Sequence, residues 1–142
     1  MLDILYIEDN EDEADIFRRV MNRLSPQPIF TILTSGLEAV DYLLQQGTYQ
    51  GQNPAMPRLV LIDLNLPGHS GFEVIQQIRA NNKTRYLPLV VYSTSDNPRD
   101  MRRAFDLGVN AYLVKPGSYH KVSEMMQGAV DFWLTQSQFR PL

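Results

Sequence analysis

Four places in the chain set polar side chains directly after a run of four apolar residues. Glu8 and Asp9 follow "ILYI", Asp63 follows "LVLI", Ser93 follows "LVVY" and Lys115 follows "AYLV". A carboxylate at the end of a buried segment is costly to desolvate unless something pairs with it. Three carboxylates brought together also repel, each raising the others' proton affinity. A divalent cation removes that penalty. The chain has no cysteine, and neither of its two histidines stands at ligand spacing. Oxygen-only ligation points to Mg²⁺, with Mn²⁺ as a substitute, and Mg²⁺ characteristically takes one or two carboxylates, several waters and a phosphate oxygen. Asp9 and Asp63 are the expected direct ligands, the backbone carbonyl of Asn65 a third, and Glu8 acts through water.

These residues work together only if the fold brings four separate segments to one place. The chain supplies a pattern that does so. Short apolar runs (Ile4–Ile7, Ile29–Leu33, Leu59–Ile62, Leu89–Tyr92, Ala111–Val114) alternate with segments whose apolar residues recur at helical spacing. Ala14, Phe17, Val20, Met21 and Leu24 mark the first helix. Ser35 with Glu38, and Ser70 with Glu73, form capping boxes, and Asn97–Pro98 reads as a cap and first helical residue. Gly47 and Gly108 are expected to end the second and fourth helices, and the last helix is expected over 118–134. Strands that are apolar throughout are covered on both faces. The prediction is an α/β fold: a five-stranded parallel sheet in the order 2-1-3-4-5, doubly wound with five helices. Chemistry in such a sheet lies beyond the carboxyl ends of the strands, at the switch point between the first and third. Singly, each polar residue has a plainer explanation: a helix cap, a solvated turn, a loop hydroxyl. Their joint placement at four strand ends carries the functional reading.

The 142 residues suit a single domain over 1–142, with 44% hydrophobic and 20% charged residues as in ordinary globular proteins. A net charge of −3 argues against a general nucleic-acid footprint. The acidic start "MLDILYIEDNEDEAD" is no signal peptide, no apolar run reaches the length of a bilayer span, and the lack of cysteine fits a reducing cytoplasm.

The stretches "YIEDN", "LIDLNLPGHSG", "VVYSTSD" and "AYLVKP" resemble the receiver domain of two-component response regulators, in the same order and over nearly the whole chain. The resemblance implies that Asp63 accepts a phosphoryl group from a phosphohistidine on a sensor kinase, as a phosphoacceptor that promotes its own phosphorylation and dephosphorylation rather than an enzyme. It implies Glu8 and Asp9 as the acidic pair holding Mg²⁺, Ser93 as a switch hydroxyl, Lys115 as the cation on the phosphoryl oxygens and Tyr112 as the aromatic that reports the state. Strand packing explains Tyr112 equally well on physical grounds. The Lys115–Pro116 peptide is expected to be cis. Asn65 and Ser95, each two residues past a site residue, are expected to flank the path of a hydrolytic water.

More closely, "DLNLPGHSGFEVIQQIR", the loop "QQGTYQGQNPAMPR" and the ending "DFWL" are similar to single-domain regulators that serve cyanobacterial and bacterial phytochromes. That implies a phytochrome kinase as donor and a homodimer built on the fourth helix, fifth strand and fifth helix, with no output domain, no nucleic acid and no membrane. The alternative is an aspartyl-nucleophile phosphatase of the haloacid-dehalogenase type, which wants a second acid where Asn65 stands. A flavin module would need a phosphate-cradling loop where "EDNEDE" repels phosphate. Arg99, Arg102 and Arg103 form a basic strip on the fourth helix. Trp133 is expected in the core, with Phe132 and Phe139 exposed as an interface pair and His69 and His120 on the surface.

Overall fold

The computed structural model describes residues 1–138. Its strands are β1 (Leu2–Ile7), β2 (Phe30–Leu33), β3 (Pro57–Ile62), β4 (Leu89–Ser93) and β5 (Ala111–Val114), interleaved with α1 (Glu11–Met21), α2 (Gly36–Leu44), α3 (Gly71–Ala80), α4 (Pro98–Leu107) and α5 (Tyr119–Val130). The strands form one parallel sheet in the order β2-β1-β3-β4-β5, as the sequence predicts. No helix among the described residues is long and apolar enough to cross a membrane.

Successive strand residues face opposite sides of a sheet, and here the two sides make two cores. Leu5, Ile7, Val60, Ile62, Leu89 and Val91 pack under α2, α3 and α4 with Val40, Leu43, Ile75 and Ile78. Ile4, Tyr6, Leu59, Leu61, Val90 and Tyr92 pack under α1 and α5 with Phe17, Val20, Met21 and Met126. Each fully buried aliphatic side chain contributes about 1.5–3 kcal/mol. β1 and β4 are buried throughout and β3 at every residue but Arg58, whereas the edge strands β2 and β5 are half-buried except at Leu33.

Every α-helix opens on a side-chain cap: Asn10, Ser35, Ser70, Asn97 and Ser118 each accept a backbone N–H from the first turn. A cap replaced by alanine costs about 1 kcal/mol. The caps end the strand-to-helix loops abruptly, so the residues just after β1, β3, β4 and β5 stay at the sheet rim. Gly108 closes α4 with a φ of 106°, a left-handed backbone that glycine adopts without cost.

Some boundaries differ from expectation. α1 ends at Met21 rather than Leu24. The left-handed residue that ends α2 is Gln45, and Gly47 begins a 3₁₀ turn. The backbone N–H groups of Gln45 and Gln46 already reach the carbonyls of Tyr42 and Asp41, so the helix stops earlier. The last helix is α5 followed by a π-helical turn, Asp131–Gln136. Among the described residues the cis peptide is Ser25–Pro26, not Lys115–Pro116. A trans X–Pro bond is favoured by about 0.5–1 kcal/mol, and Lys115 reaches its partners from it.

Candidate functional site

The β1–β3 register pairs Ile7 with Ile62, so the next residues, Glu8 and Asp63, leave adjacent strands side by side. The Asp63 N–H donates to the Ile7 carbonyl at 3.1 Å. Ser93 pairs with Val114, and the Lys115 N–H donates to the Ser93 carbonyl at 2.8 Å. Lys115 therefore begins its side chain beside Ser93 and crosses the strand ends, its Nζ lying 5.5 Å from the centre of the Tyr92 ring. It donates to Glu8 Oε1 and, at 3.0 Å, to Asp63 Oδ2; Glu13 stands 3.7 Å away.

Glu8 and Ser93 are fully buried and Asp63 is 7% exposed. Burial pushes the Glu8 carboxyl up to about 7, and Asp63 adds to the rise against the opposing pull of Lys115. Burial alone would lower the Lys115 ammonium, but its bonds to Glu8 and its attraction to Asp63 outweigh that and leave it raised. The ammonium is thus held charged between two acids. Asp63 Oδ1 accepts the Asn65 N–H at 3.1 Å, which fixes the carboxylate plane from the opposite side.

No three acidic or histidine side chains among the described residues are gathered as a metal site. The expected trio of Glu8, Asp9 and Asp63 is instead two buried carboxylates bridged by an ammonium, with Asp9 exposed. Charge explains this, since two desolvated carboxylates need a counter-charge and Lys115 reaches both. The donors still fit a hard cation. All are oxygens, and Glu8 Oε2 is buried with no hydrogen bond from any described residue. A buried carboxylate oxygen left so is costly, and a cation-bound water would satisfy it. Asn65, whose N–H meets Asp63, is exposed.

The switch candidates also lie together. Ser93 Oγ accepts the Ser95 N–H at 3.3 Å, and the Tyr112 hydroxyl donates to the Ser95 carbonyl at 2.8 Å. Ser95 itself donates from Oγ to Asp100 at 2.6 Å, which ties it to the first turn of α4. Tyr112 packs on the core under α2, α3 and α4.

Sequence reasoning assigned no role to Tyr6, Gly71 or Arg79. The Tyr6 hydroxyl donates to Glu8 Oε1 at 3.1 Å; its place two residues before an acid on a buried strand was the available signal. Gly71 opens α3 so close to the Asp63 loop that an added Cβ would lie 2.4 Å from the Asp63 carbonyl oxygen. Arg79 donates to the carbonyls of Gly108, Arg85 and Leu87 and to Asn110 Oδ1, joining α3 to the ends of α4 and the start of β5. Arg99, Arg102 and Arg103 are exposed, with the Arg103 guanidinium 4.1 Å from the centre of the Phe72 ring. Trp133 is half-buried against the core under α1 and α5, and Phe132 is exposed; Phe139 lies outside the described residues. His120 is exposed as expected, but in the first turn of α5 and 3.0 Å from Glu124. His69 is half-buried.

Residues 4–127 match the response regulator receiver domain. Response regulator Rcp1 of Synechocystis sp. is 37% identical over 131 residues, covering 92% of this chain and 88% of that protein. The probable methanogenesis regulatory protein FilR2 of Methanothrix harundinacea is also 37% identical, with 92% and 83% covered. The crystal structure of the phosphorylated cyanobacterial phytochrome response regulator RcpA superposes with a TM-score of 0.90 at 30% identity, covering 99% of this chain and 100% of that one. The Mn²⁺-bound form of Rcp1 superposes at 0.88 with 34% identity, 99% and 100% covered. With its strand order, its acids bridged by a lysine at the rim and these full-length matches, the chain belongs to the response regulator receiver domain family.

Proposed function

We propose that Asp63 accepts a phosphoryl group from a phosphohistidine of a sensor kinase. The observation that carries this reading is the Lys115 ammonium set between Glu8 and Asp63 at the carboxyl rim of the sheet. An Asp63 oxygen forms a bond to phosphorus as the bond from phosphorus to the histidine nitrogen breaks. Such transfers need little covalent assistance and depend on position and charge. Lys115 supplies a fixed positive charge where charge develops on the transferred oxygens. Asp9, Asp63, the Asn65 carbonyl and, through water, Glu8 are the groups that hold Mg²⁺ or Mn²⁺, and the cation supplies further neutralisation of phosphoryl charge when bound. The Mn²⁺-bound form of Rcp1 supports that assignment.

The new dianion offers acceptors to the Ser93 hydroxyl. Ser93 Oγ, now accepting from Ser95, turns to donate, and the loop that Tyr112 grips through the Ser95 carbonyl follows. The change reaches α4, β5 and α5, where we place a homodimer contact. A groove of about 530 Å³ there is lined by Val90, Ala111, Leu113, Met125 and Trp133, with Phe132 51% exposed at its rim. The donor we assign is a light-regulated kinase of the phytochrome class, because RcpA, a full-length match, is a phytochrome response regulator.

Incubation with acetyl phosphate and Mg²⁺, read by intact mass, tests the acceptor. One phosphate should appear on the wild type and none on Asp63→Asn. Turnover of phosphate monoesters without a stable adduct would overturn it in favour of a phosphatase. Transfer from an autophosphorylated phytochrome kinase tests the donor; no transfer to protein that acetyl phosphate labels would remove the phytochrome assignment alone. Sedimentation of Phe132→Glu beside the wild type tests the dimer face.

A further inference from the structure

Tyr6 is fully buried, with its ring between those of Phe17 and Tyr92 at centroid distances of 4.5 and 5.8 Å. The neighbours on that side of the sheet are apolar, among them Val20, Met21, Leu61 and Val90. A leucine or phenylalanine would fill such a place without carrying a hydroxyl into it, and a buried hydroxyl is costly unless bonded. Among the described residues the one bond the Tyr6 hydroxyl makes is to Glu8 Oε1, the oxygen that also receives Lys115. Glu8, the first residue past β1, lies two positions beyond Tyr6, so the alternation of the strand carries the phenol toward the acid. Two donors on Oε1 hold the carboxylate, and Oε2 is left without a partner among the described residues.

We propose that Tyr6 is a positioning residue of this site: its hydroxyl commits Glu8 Oε1 to the protein and so keeps Oε2 presented to the hydration shell of a bound divalent cation. The proposal rests on the metal-holding role assigned to Glu8 above. Without the hydroxyl, Oε1 keeps the Lys115 bond but loses its second donor, and the carboxylate can turn both oxygens toward the ammonium. Groups that orient a metal's ligands typically change affinity 10–100-fold when removed.

The test is calorimetric titration of Mg²⁺ into the full, unphosphorylated chain, wild type against Tyr6→Phe, which keeps the ring. The expected result is a roughly tenfold weaker Mg²⁺ dissociation constant, with the acetyl phosphate labelling rate restored at saturating Mg²⁺. In a Glu8→Gln background, Tyr6→Phe should change the Mg²⁺ constant no further. An unchanged constant in folded Tyr6→Phe, or the same loss with Glu8 already replaced, would overturn the proposal while leaving Asp63 labelling intact. A wild type that takes neither Mg²⁺ nor phosphate would instead overturn the reading beneath it. Should Tyr6→Phe fail to fold, the wild-type hydroxyl proton decides by NMR. It should be slow to exchange and shift on adding Mg²⁺ but not Na⁺ of equal ionic strength; a proton indifferent to Mg²⁺ counts against Tyr6.

Discussion

Replacing Gly71 with alanine places a methyl carbon 2.4 Å from the Asp63 carbonyl oxygen, 2.6 Å from Leu64 Cα and 3.1 Å from the Asp63 carbonyl carbon. All three atoms are backbone, so no side chain can swing aside. Ordinary contact begins near 3.4 Å, and relief therefore needs a displacement of about 1 Å between the start of α3 and the Asp63 loop. Overpacking of this kind costs about 1–3 kcal/mol. At about 2–4 °C per kcal/mol for a domain near this size, the melting temperature should fall by roughly 2–12 °C. The same displacement acts on function, because Asp63 is the residue moved and the Gly71 N–H is tied to the Leu64 carbonyl at 3.0 Å. A 1 Å misplacement can lower a rate by about 10²-fold. Thermal unfolding by circular dichroism and acetyl phosphate labelling by intact mass measure the two effects. A variant that melts within about 1 °C of the wild type and labels at the wild-type rate would refute the reasoning, for it would mean the loop has room that the distances deny.

Gly128→Ala supplies the opposite case: nothing lies within 4 Å of its added Cβ in α5, so thermal unfolding should show a gain of about 0.5–1 kcal/mol. Arg79→Lys should cost about 2–3 kcal/mol in a denaturant titration, because an ammonium cannot reproduce the fork that serves Gly108, Arg85, Leu87 and Asn110. In EDTA, stability should fall as pH rises from 5 to 8. The folded Glu8 carboxyl binds its proton more tightly than the unfolded one, so its contribution is full below the ordinary value of 4.5 and is lost as pH passes about 7. The loss is of the order of 3 kcal/mol, and Glu8→Gln should flatten that slope in melting curves taken across the range.

Much of the architecture was legible because it is locally encoded. Contiguous apolar runs announce strands covered on both faces, and Ser or Asn caps announce where each chain leaves the rim. α4 is the clearest case, since Asn97, Pro98 and Gly108 stand where expected. Strand order then made Glu8, Asp63, Ser93 and Lys115 neighbours. What could not be read depends on register and approach. That Tyr6 serves Glu8 follows from which oxygen a phenol meets, and the need for glycine at 71 from how closely α3 passes the loop. The π-helical turn at Asp131 has no local signature; there Arg58 donates to the Leu134 carbonyl at 2.8 Å and to Asp3 at 3.2 Å, a contact between distant segments.

The site illustrates a conflict between stability and transfer. Once Glu8 is ionised, Glu8, Asp63 and Lys115 together carry one excess negative charge in a place with little water, and burying such groups rarely repays its desolvation. A core of aliphatic residues at these positions would hold the sheet at least as well. The arrangement makes physical sense as a receptor for charge. A cation bound at the acids brings the missing positive charge, so it should stabilise the folded chain by mass action. On the function proposed above, a phosphoryl group on Asp63 changes the charge and the acceptors facing Ser93, and that difference is what would shift the Ser93–Ser95–Tyr112 chain of hydrogen bonds.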